Sequence, residues 1–323
     1  MVDALRIVFM GTPAFAVPTL GGLLASRHTV AGVVTQPDKP RGRGQKVSDA
    51  PVKTLAVERG LPIIQPARLR EPDVEAALRA WRPDLGVVAA YGKLIPDALL
   101  TIPRLGMINV HASLLPKYRG AAPIQWAIIN GETETGVTIM RVIRELDAGA
   151  MFAKAVRPIG PEETSDVVER DLAELGARLL VSVVDRIAEG TATEEAQDDS
   201  QASFAPRLTK DEGLIDWSLR ARAIHDRVRG LHPWPHAYTF IDGERTIILR
   251  SRVEGADAAR GPAGDAPAPG TVTHVTRDAL HVATGAAGVL AIVELQPDGR
   301  RPMTARDFLA GRPVLAGSVF GAP

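Results

Sequence analysis

The sequence contains no cysteine, few aromatic residues and no excess of either charge. Without cysteine the chain can form neither disulfides nor thiolate zinc sites, and a cysteine nucleophile is excluded. Aromatic residues make up 4% of the 323 residues, so the cores must be built from Ala, Val, Leu and Ile. The 38 basic and 38 acidic residues balance, so attraction of nucleic acid by the whole surface is not indicated. Such a partner would need a local basic patch.

Long apolar runs are also missing. No run of about 18 or more apolar residues occurs, so neither a membrane-spanning helix nor a membrane partner is predicted. The first residues lead directly into a strand-like segment, without the basic stretch and apolar stretch that mark a secretory signal. We therefore expect a cytoplasmic protein.

Common nucleotide and hydrolase motifs are absent as well. Residues 11–15, after the first apolar run, read GTPAF and lack the G-x-G-x-x-G pattern of dinucleotide-binding proteins. A P-loop, H-E-x-x-H and G-x-S-x-G do not occur either. An oxidoreductase or ATP-dependent function is therefore poorly supported.

The first half alternates short apolar runs with helical patterns. Strands are predicted over Leu5–Phe9, Thr29–Thr35, Ile63–Ile64, Leu85–Ala90, Met107–Val110 and Val137–Val142, and helices over Ala50–Arg59, Asp73–Trp81, Gln125–Asn130 and Thr164–Ala188. Strands separated by helices of this length indicate βαβ units, and hence an α/β fold with a parallel sheet covered on both faces. Ligands bind beyond the carboxyl ends of strands in such sheets.

A polar, acidic stretch at Glu189–Phe204 marks a change in the composition of the sequence. We predict a first domain over residues 1–190, a linker over 191–208 and a second domain over 209–323. The second domain begins with a helical pattern over Ile215–Arg229, and strands are predicted over Ala237–Ile241, Thr246–Arg250, Thr271–Val275, Leu280–Ala283 and Val289–Leu295. Closely spaced short strands predict a small antiparallel barrel or sandwich. The Gly/Pro/Ala-rich segment Gly255–Gly270 is predicted as a loop.

The segment Met107–His111 carries the most informative chemistry. An apolar strand ends here in two polar side chains, Asn109 and His111, which share one face while the chain stays extended. An amide donor beside an imidazole suits stabilisation of an oxyanion combined with proton transfer. On these residues alone, however, side chains that simply satisfy nearby backbone groups are the favoured interpretation.

Two later features strengthen the interpretation of Met107–His111 as part of a reactive site. Residues 112–123 contain two prolines and a glycine, which predicts a rigid loop suited to contacting a ligand through its backbone. Asp147 then follows another strand in a turn, Glu145–Gly149. An Asp there is ordinarily a turn residue, but a carboxylate near an imidazole would also fix the tautomer of the imidazole.

Taken in order, these segments resemble the folate-dependent formyltransferase family. The family carries Asn-x-His, then Ser-Leu-Leu-Pro, then Leu-Asp-x-Gly, which stand here as Asn109–His111, Ser113–Pro116 and Leu146–Gly149. Residues 142–145 depart from the acidic, glycine-containing pattern of the family. The resemblance implies a Rossmann-like formyltransferase domain, with Asn109, His111 and Asp147 as the catalytic residues. It also implies a folate-contacting loop formed by Ser113, Leu114, Leu115 and Pro116.

The chemistry that the resemblance implies is formyl transfer from 10-formyltetrahydrofolate, the co-substrate, to an amine. Asn109 would donate a hydrogen bond to the oxyanion, His111 would stabilise it and assist proton movement, and Asp147 would orient His111. This scheme needs no metal and no covalent enzyme intermediate.

Three features bear on the acceptor. The segment 35–46 is a long loop with no acidic residue after Asp38, and it resembles the insertion that family members acting on methionyl initiator tRNA place against the tRNA acceptor arm. Arg43 stands at the arginine position of that loop, with Arg41 and Lys46 as further candidate tRNA contacts. The β-rich second domain resembles the oligonucleotide-binding (OB) fold domain of the same branch, as do the segments around Trp217 and Trp234. Both tryptophans are predicted as core residues rather than as base-stacking ones. We expect initiator methionyl-tRNA as the partner, for translation initiation, and a monomer.

Other functions stay open on the sequence. Formyl transfer to a sugar-nucleotide amine and hydrolysis of formyltetrahydrofolate are the alternatives within the superfamily. A glycinamide ribonucleotide formyltransferase would lack the second domain. A non-catalytic RNA-binding protein is the alternative from another class, but it would have no use for Asn109, His111 and Asp147 beside a folate-type loop.

The basic loop gives a first prediction. Arg43→Ala should weaken formylation of tRNA much more than it alters folate binding, because an arginine in an exposed loop contacts phosphate and not the folate site. Steady-state kinetics with each substrate varied in turn would measure this. Formylation kinetics equal to those of the unmodified chain would contradict it.

Overall fold

A computed structural model of the chain describes residues 4–41, 46–254 and 267–321. The chain divides into two compact units, and neither unit is continuous in sequence. The first comprises Met1–Pro123, Glu134–Pro158 and Glu169–Pro206, and the second comprises Ile124–Thr133, Ile159–Val168 and Arg207–Pro323. Residues 191–206, most of the predicted linker, therefore belong to the first unit.

The secondary-structure elements are numbered along the chain. The helices are α1 (Val17–Ala25), α2 (Pro51–Glu58), α3 (Pro72–Trp81), α4 (Asp97–Leu100), α5 (Pro123–Ile129), α6 (Ser165–Ala188), α7 (Ala221–Gly230) and α8 (Ala305–Gly311). The strands of the first unit are β1 (Arg6–Gly11), β2 (Thr29–Val34), β3 (Lys39–Arg41), β4 (Lys46–Ser48), β5 (Ile63–Ile64), β6 (Leu85–Ala89), β7 (Met107–His111), β8 (Arg119–Gly120), β9 (Glu134–Arg141), β10 (Met151–Pro158) and β11 (Phe204–Ala205). Those of the second are β12 (Ala237–Ile241), β13 (Glu244–Val253), β14 (Val272–Val275), β15 (Leu280–Thr284), β16 (Gly288–Pro297), β17 (Met303–Thr304) and β18 (Phe320–Gly321).

The main sheet of the first unit has the strand order β10-β9-β7-β6-β1-β2-β5. From β7 to β5 all neighbours are parallel, which confirms the predicted Rossmann-like α/β fold. The central strands are continuous apolar runs because both of their faces are covered.

The antiparallel edge of this sheet was not predicted. β9 pairs antiparallel with both β7 and β10. After two buried residues, half-buried and exposed residues alternate along β10, as expected for an edge strand with one covered face. Lys154 and Arg157 interrupt the apolar run on which the sequence prediction depended.

The second unit is built on one antiparallel sheet with the order β14-β15-β16-β13-β12-β18. Its two ends are joined, because the Val272 N–H donates to the Ser318 carbonyl at 2.8 Å and the Phe320 N–H donates to the Gly270 carbonyl at 2.7 Å. These bonds close the sheet into the small barrel that the sequence predicts.

A buried charge pair on α7 explains why residues 159–168 belong to the second unit. Arg229 and Asp226 form an ion pair at 2.9 Å, with side chains that are 4% and 3% exposed. Arg229 Nη1 donates to the carbonyls of Gly160 and Glu163, each at 3.1 Å. Because a buried guanidinium must find acceptors for its donors, this pair fixes the segment to α7.

The predicted helix over Ile215–Arg229 is wrong in its first part, since α7 begins only at Ala221. The Trp217 and Leu219 carbonyls accept the Gly285 N–H at 3.0 and 2.9 Å, so they are not used in a helix. Asp216 forms a local turn instead, accepting the Ser218 N–H at 2.9 Å.

The two tryptophans behave differently. Trp217 is buried and its indole N–H donates to the Thr239 hydroxyl at 3.0 Å, so the predicted core role is confirmed. Trp234 is 49% exposed, so the same prediction is wrong there. Its neighbours Pro233 and Pro235 have no N–H to give to a sheet, and they keep this segment as a surface turn ahead of β12.

Candidate active site

The strand β7 places Asn109 and His111 between two neighbours of the main sheet. Asn109 lies opposite Val88 of β6 and Met140 of β9, and His111 lies opposite Thr138 of β9. β6 and β7 run parallel, so their carboxyl ends open at the same edge, where ligands bind in sheets of this type.

The Asn109 side chain is half-buried. Among the residues that the structure describes, no hydrogen bond partner of its amide is found. The amide is thus available to a ligand, and its role as an oxyanion donor stays a prediction.

His111 is buried, and its ring is oriented by one backbone group. Its Nε2 lies 3.0 Å from the carbonyl oxygen of Tyr118. A carbonyl oxygen can only accept, so Nε2 carries the hydrogen and Nδ1 is the unprotonated nitrogen of the neutral ring. The basic atom of the imidazole is therefore Nδ1.

Asp147 lies on the Nδ1 side of that ring. Its Oδ2 is 3.7 Å from His111 Nδ1, and the two side chains are 15% and 5% exposed. The same oxygen accepts the backbone N–H of Gly120 at 2.9 Å. The distance to Nδ1 is too long for a hydrogen bond but short enough to stabilise a proton that arrives there.

The path of the chain to Asp147 was not visible in the sequence. β9 runs from Thr138, opposite His111, to Arg141, opposite Ile108, and so leads away from the imidazole. The segment after β9 returns and brings Asp147 back to His111 with a φ of 49°, in the left-handed region.

The predicted folate loop is held by one buried hydroxyl. Thr138 Oγ1 donates to the Ser113 carbonyl at 2.7 Å and accepts the Leu115 N–H at 3.1 Å. Ser113 and Leu115 are buried, whereas Leu114 and Pro116 are half-buried. A ligand at this loop can therefore reach the side chains of Leu114 and Pro116, and the other two side chains shape the loop from inside.

The structure describes only two of the three predicted tRNA contacts. Arg43 lies outside the described residues. Arg41 and Lys46 are paired in register in the β3–β4 hairpin. The base of this hairpin is anchored at Asp38, where hydrogen bonds from Lys53 and Gln65 hold the pKa of the carboxyl below its ordinary value.

The tyrosine that follows β6 does not compete with His111 as a base. Tyr91, which follows β6, is buried in an apolar cluster, and burial raises the pKa of its hydroxyl to about 12.

Among the described residues no group of three or more His, Asp or Glu side chains is arranged to hold a metal ion. The arrangement suits acyl transfer, with an amide donor and a base that carry out different tasks.

Sequence comparison assigns both halves of the chain to related families. Residues 5–184 match the family model described as formyl transferase, and residues 207–313 match the model of the formyl transferase C-terminal domain. A methionyl-tRNA formyltransferase from Citrifermentans bemidjiense is 46% identical over 320 residues, which cover 99% of this chain and 98% of the relative. One from Methylococcus capsulatus is 47% identical over 317 residues, covering 98% of this chain and 100% of the relative.

Two solved structures share the fold at low sequence identity. HypX from Aquifex aeolicus in complex with tetrahydrofolic acid matches with a TM-score of 0.64 at 16% identity, over 97% of this chain and 48% of that chain. WlaRD, a sugar 3N-formyl transferase crystallised in the presence of dTDP and 5-N-formyl-THF, matches with a TM-score of 0.65 at 16% identity, over 93% of this chain and 100% of that chain.

The role of Thr138 gives a prediction with a matched control. Thr138→Val keeps the shape but removes both hydrogen bonds, leaving the Ser113 carbonyl and the Leu115 N–H buried and unpaired. We expect a loss of about 2–4 kcal/mol in the free energy of unfolding, measured by denaturant titration. Thr138→Ser keeps the hydroxyl and should lose under about 1.5 kcal/mol. Equal stability of the two variants would show that the hydroxyl does not hold the loop.

Proposed function

This chain belongs to the formyl transferase family, and we propose that it transfers the formyl group of 10-formyltetrahydrofolate to the amino group of methionyl initiator tRNA, giving formyl-methionyl-tRNA. The observation that carries the proposal is the similarity over nearly the whole chain, at 44–47% identity, to relatives named methionyl-tRNA formyltransferase. The geometry around His111 is consistent with the chemistry of that reaction.

The folate co-substrate supplies the formyl group, and the chain's own residues would bind and orient it. Asn109 offers an unpaired amide that can donate a hydrogen bond to the formyl oxygen as negative charge develops there. Thr138 holds the backbone of the loop Ser113–Pro116 in place. The side of the loop formed by Leu114 and Pro116 is therefore preorganised for the planar rings of the folate.

His111 and Asp147 would manage the proton. An amine that attacks the formyl carbon must lose a proton, and N10 of the folate must gain one as its bond to that carbon breaks. His111 Nδ1 can accept the first proton and return it to N10, because Nε2 is already hydrogen-bonded to the Tyr118 carbonyl. The imidazolium that results would lie 3.7 Å from the Asp147 carboxylate, which stabilises its charge. Asp147 thus stabilises the charged form of His111 and needs no hydrogen bond to the neutral ring.

The tRNA would be bound outside this catalytic centre. The β3–β4 hairpin carries Arg41 and Lys46, and Arg43 belongs to the same loop. Positively charged residues clustered in such a segment suit contacts with phosphate. The neutral net charge of the chain then requires that the RNA contact be local and not spread over the surface.

The similarity to a sugar formyl transferase leaves one rival acceptor. That likeness is at 16% identity and therefore concerns the fold alone. Relatives of nearly the same length at 46% identity favour the tRNA acceptor.

One assay separates the candidates. The purified chain is incubated with 10-formyltetrahydrofolate and charged initiator tRNA, and formyl-methionyl-tRNA is measured. Parallel reactions contain an amino-sugar nucleotide or no acceptor, with release of formate measured in the latter. Product only with tRNA is expected. Turnover on the sugar amine or hydrolysis alone, without tRNA product, would refute the proposal.

The proton-transfer role of His111 gives a sharper prediction. In His111→Gln the side-chain amide can still donate to the Tyr118 carbonyl, but the basic Nδ1 is lost. We expect kcat to fall by about 10²–10⁴-fold. The melting temperature should stay close to that of the unmodified chain, and His111→Ala should lose both activity and some stability. A correctly folded His111→Gln variant with nearly unchanged kcat would remove His111 from proton transfer.

A further inference from the structure

One side-chain amide in the predicted linker, that of Gln197, is bonded to the turn that carries Asp147. Gln197 Nε2 donates to the carbonyl of Asp147 and to the carbonyl of Gly149, each at 2.8 Å. Both hydrogens of one amide group are thus used on two carbonyls of the same turn. Gln197 belongs to the first unit together with that turn.

The orientation of this amide is fixed by Arg119. The guanidinium donates to Gln197 Oε1 from Nε at 3.0 Å and from Nη2 at 2.8 Å. A guanidinium only donates, so the amide oxygen must face Arg119 and the NH2 group must face the turn. The Arg119 side chain is 7% exposed and also forms an ion pair with Asp199 at 2.6 Å, which leaves it little freedom to move.

The turn needs support of this kind. Asp147 has a φ of 49°, in the left-handed region that residues other than glycine adopt uncommonly, although Asp does so more often than most. At Gly149 a Cβ atom would lie 2.0 Å from the Arg141 carbonyl oxygen, so the turn is packed directly onto the backbone that leaves β9. Gln197 supplies the bonds on the other side.

The same Arg119 stands between the two backbone groups that hold the proposed catalytic pair. Its neighbour Tyr118 accepts the His111 Nε2 hydrogen, and its neighbour Gly120 donates to Asp147 Oδ2. Arg119 therefore connects Gln197 to both partners of the His111–Asp147 contact.

We propose that Gln197 is a positioning residue that sets the place of the Asp147 carboxylate relative to His111 Nδ1. The proposal rests on the proposed function, in which Asp147 stabilises the protonated imidazole. Gln197 does not touch the reacting groups. It acts through the backbone of Asp147, with Arg119 keeping its amide in the required orientation.

Two substitutions separate positioning from simple structural support. Gln197→Glu keeps an oxygen for Arg119 but removes both donors and turns a carboxylate towards the two carbonyls. Gln197→Ala removes the contacts on both sides. Positioning predicts that both variants lose kcat by about 10–100-fold with little change in KM for the folate, because a displaced group mainly affects the reacting geometry. A purely structural role predicts instead that lost activity follows a lower melting temperature or a smaller folded fraction, with kcat per folded molecule unchanged in both variants.

A double mutant tests whether Gln197 acts through Asp147. In an Asp147→Asn background, Gln197→Glu should cause little additional loss of kcat, since the carboxylate it positions is gone. Gln201→Glu is the matched control, because it adds the same charge in the same segment at an exposed site, and it should leave kcat unchanged.

The possible failures can be told apart in formylation of methionyl-tRNA. An inactive unmodified chain would refute the proposed function, and an Asp147→Asn variant with unchanged kcat would refute the role of Asp147. A strongly impaired Asp147→Asn variant beside a fully active Gln197→Glu variant would overturn the positioning role alone. Independent, multiplicative losses in the double mutant would overturn it too.

Discussion

The hydrogen bond from His111 Nε2 to the Tyr118 carbonyl determines how the rest of the site can work. It assigns the hydrogen of the neutral ring to Nε2 and leaves Nδ1 as the base, on the side where Asp147 lies. Tyr118 has a φ of 65°, and its N–H donates to the Ser203 hydroxyl at 2.9 Å. The protonation pattern of the imidazole thus depends on a short backbone segment that is itself held from residues 197–205.

Much of the first unit could be predicted because its signals are local. Buried parallel strands are apolar runs, and Asn109 and His111 stood out as polar residues at the end of such a run. Asp147 had no such signal, because its approach to His111 depends on a return of the chain after β9 that no short pattern encodes. Gln197 was even harder to predict, because a glutamine in a segment of acidic residues is typical of a solvated linker. Its function arises from partners 50 and 78 positions away.

The errors in the second half have a common physical cause. Periodicity predicted a helix from Ile215, but a helix must use its own carbonyls, and those of Trp217 and Leu219 are taken by Gly285. The five predicted strands there were located correctly, because apolar strand-forming runs between turns are a local signal, whereas the two-residue strands β17 and β18 were not predicted. The contacts that close the barrel could not be predicted in this way, because they are hydrogen bonds between Gly270 or Val272 and the distant chain near Phe320. Competition for backbone partners between distant segments is what a sequence pattern does not contain.

All the side chains proposed for chemistry lie in the first unit. An amide donor, an imidazole and a carboxylate can move a formyl group to any amine that reaches His111 Nδ1. The sugar formyl transferase with a TM-score of 0.65 shares the fold at 16% identity, and a shared fold does not by itself define the acceptor. Under the proposed function, selection of the acceptor would reside in parts outside this centre. The charge balance of the chain leaves room for such selection only where positive residues cluster, and the hairpin that carries Arg41 and Lys46 is such a place.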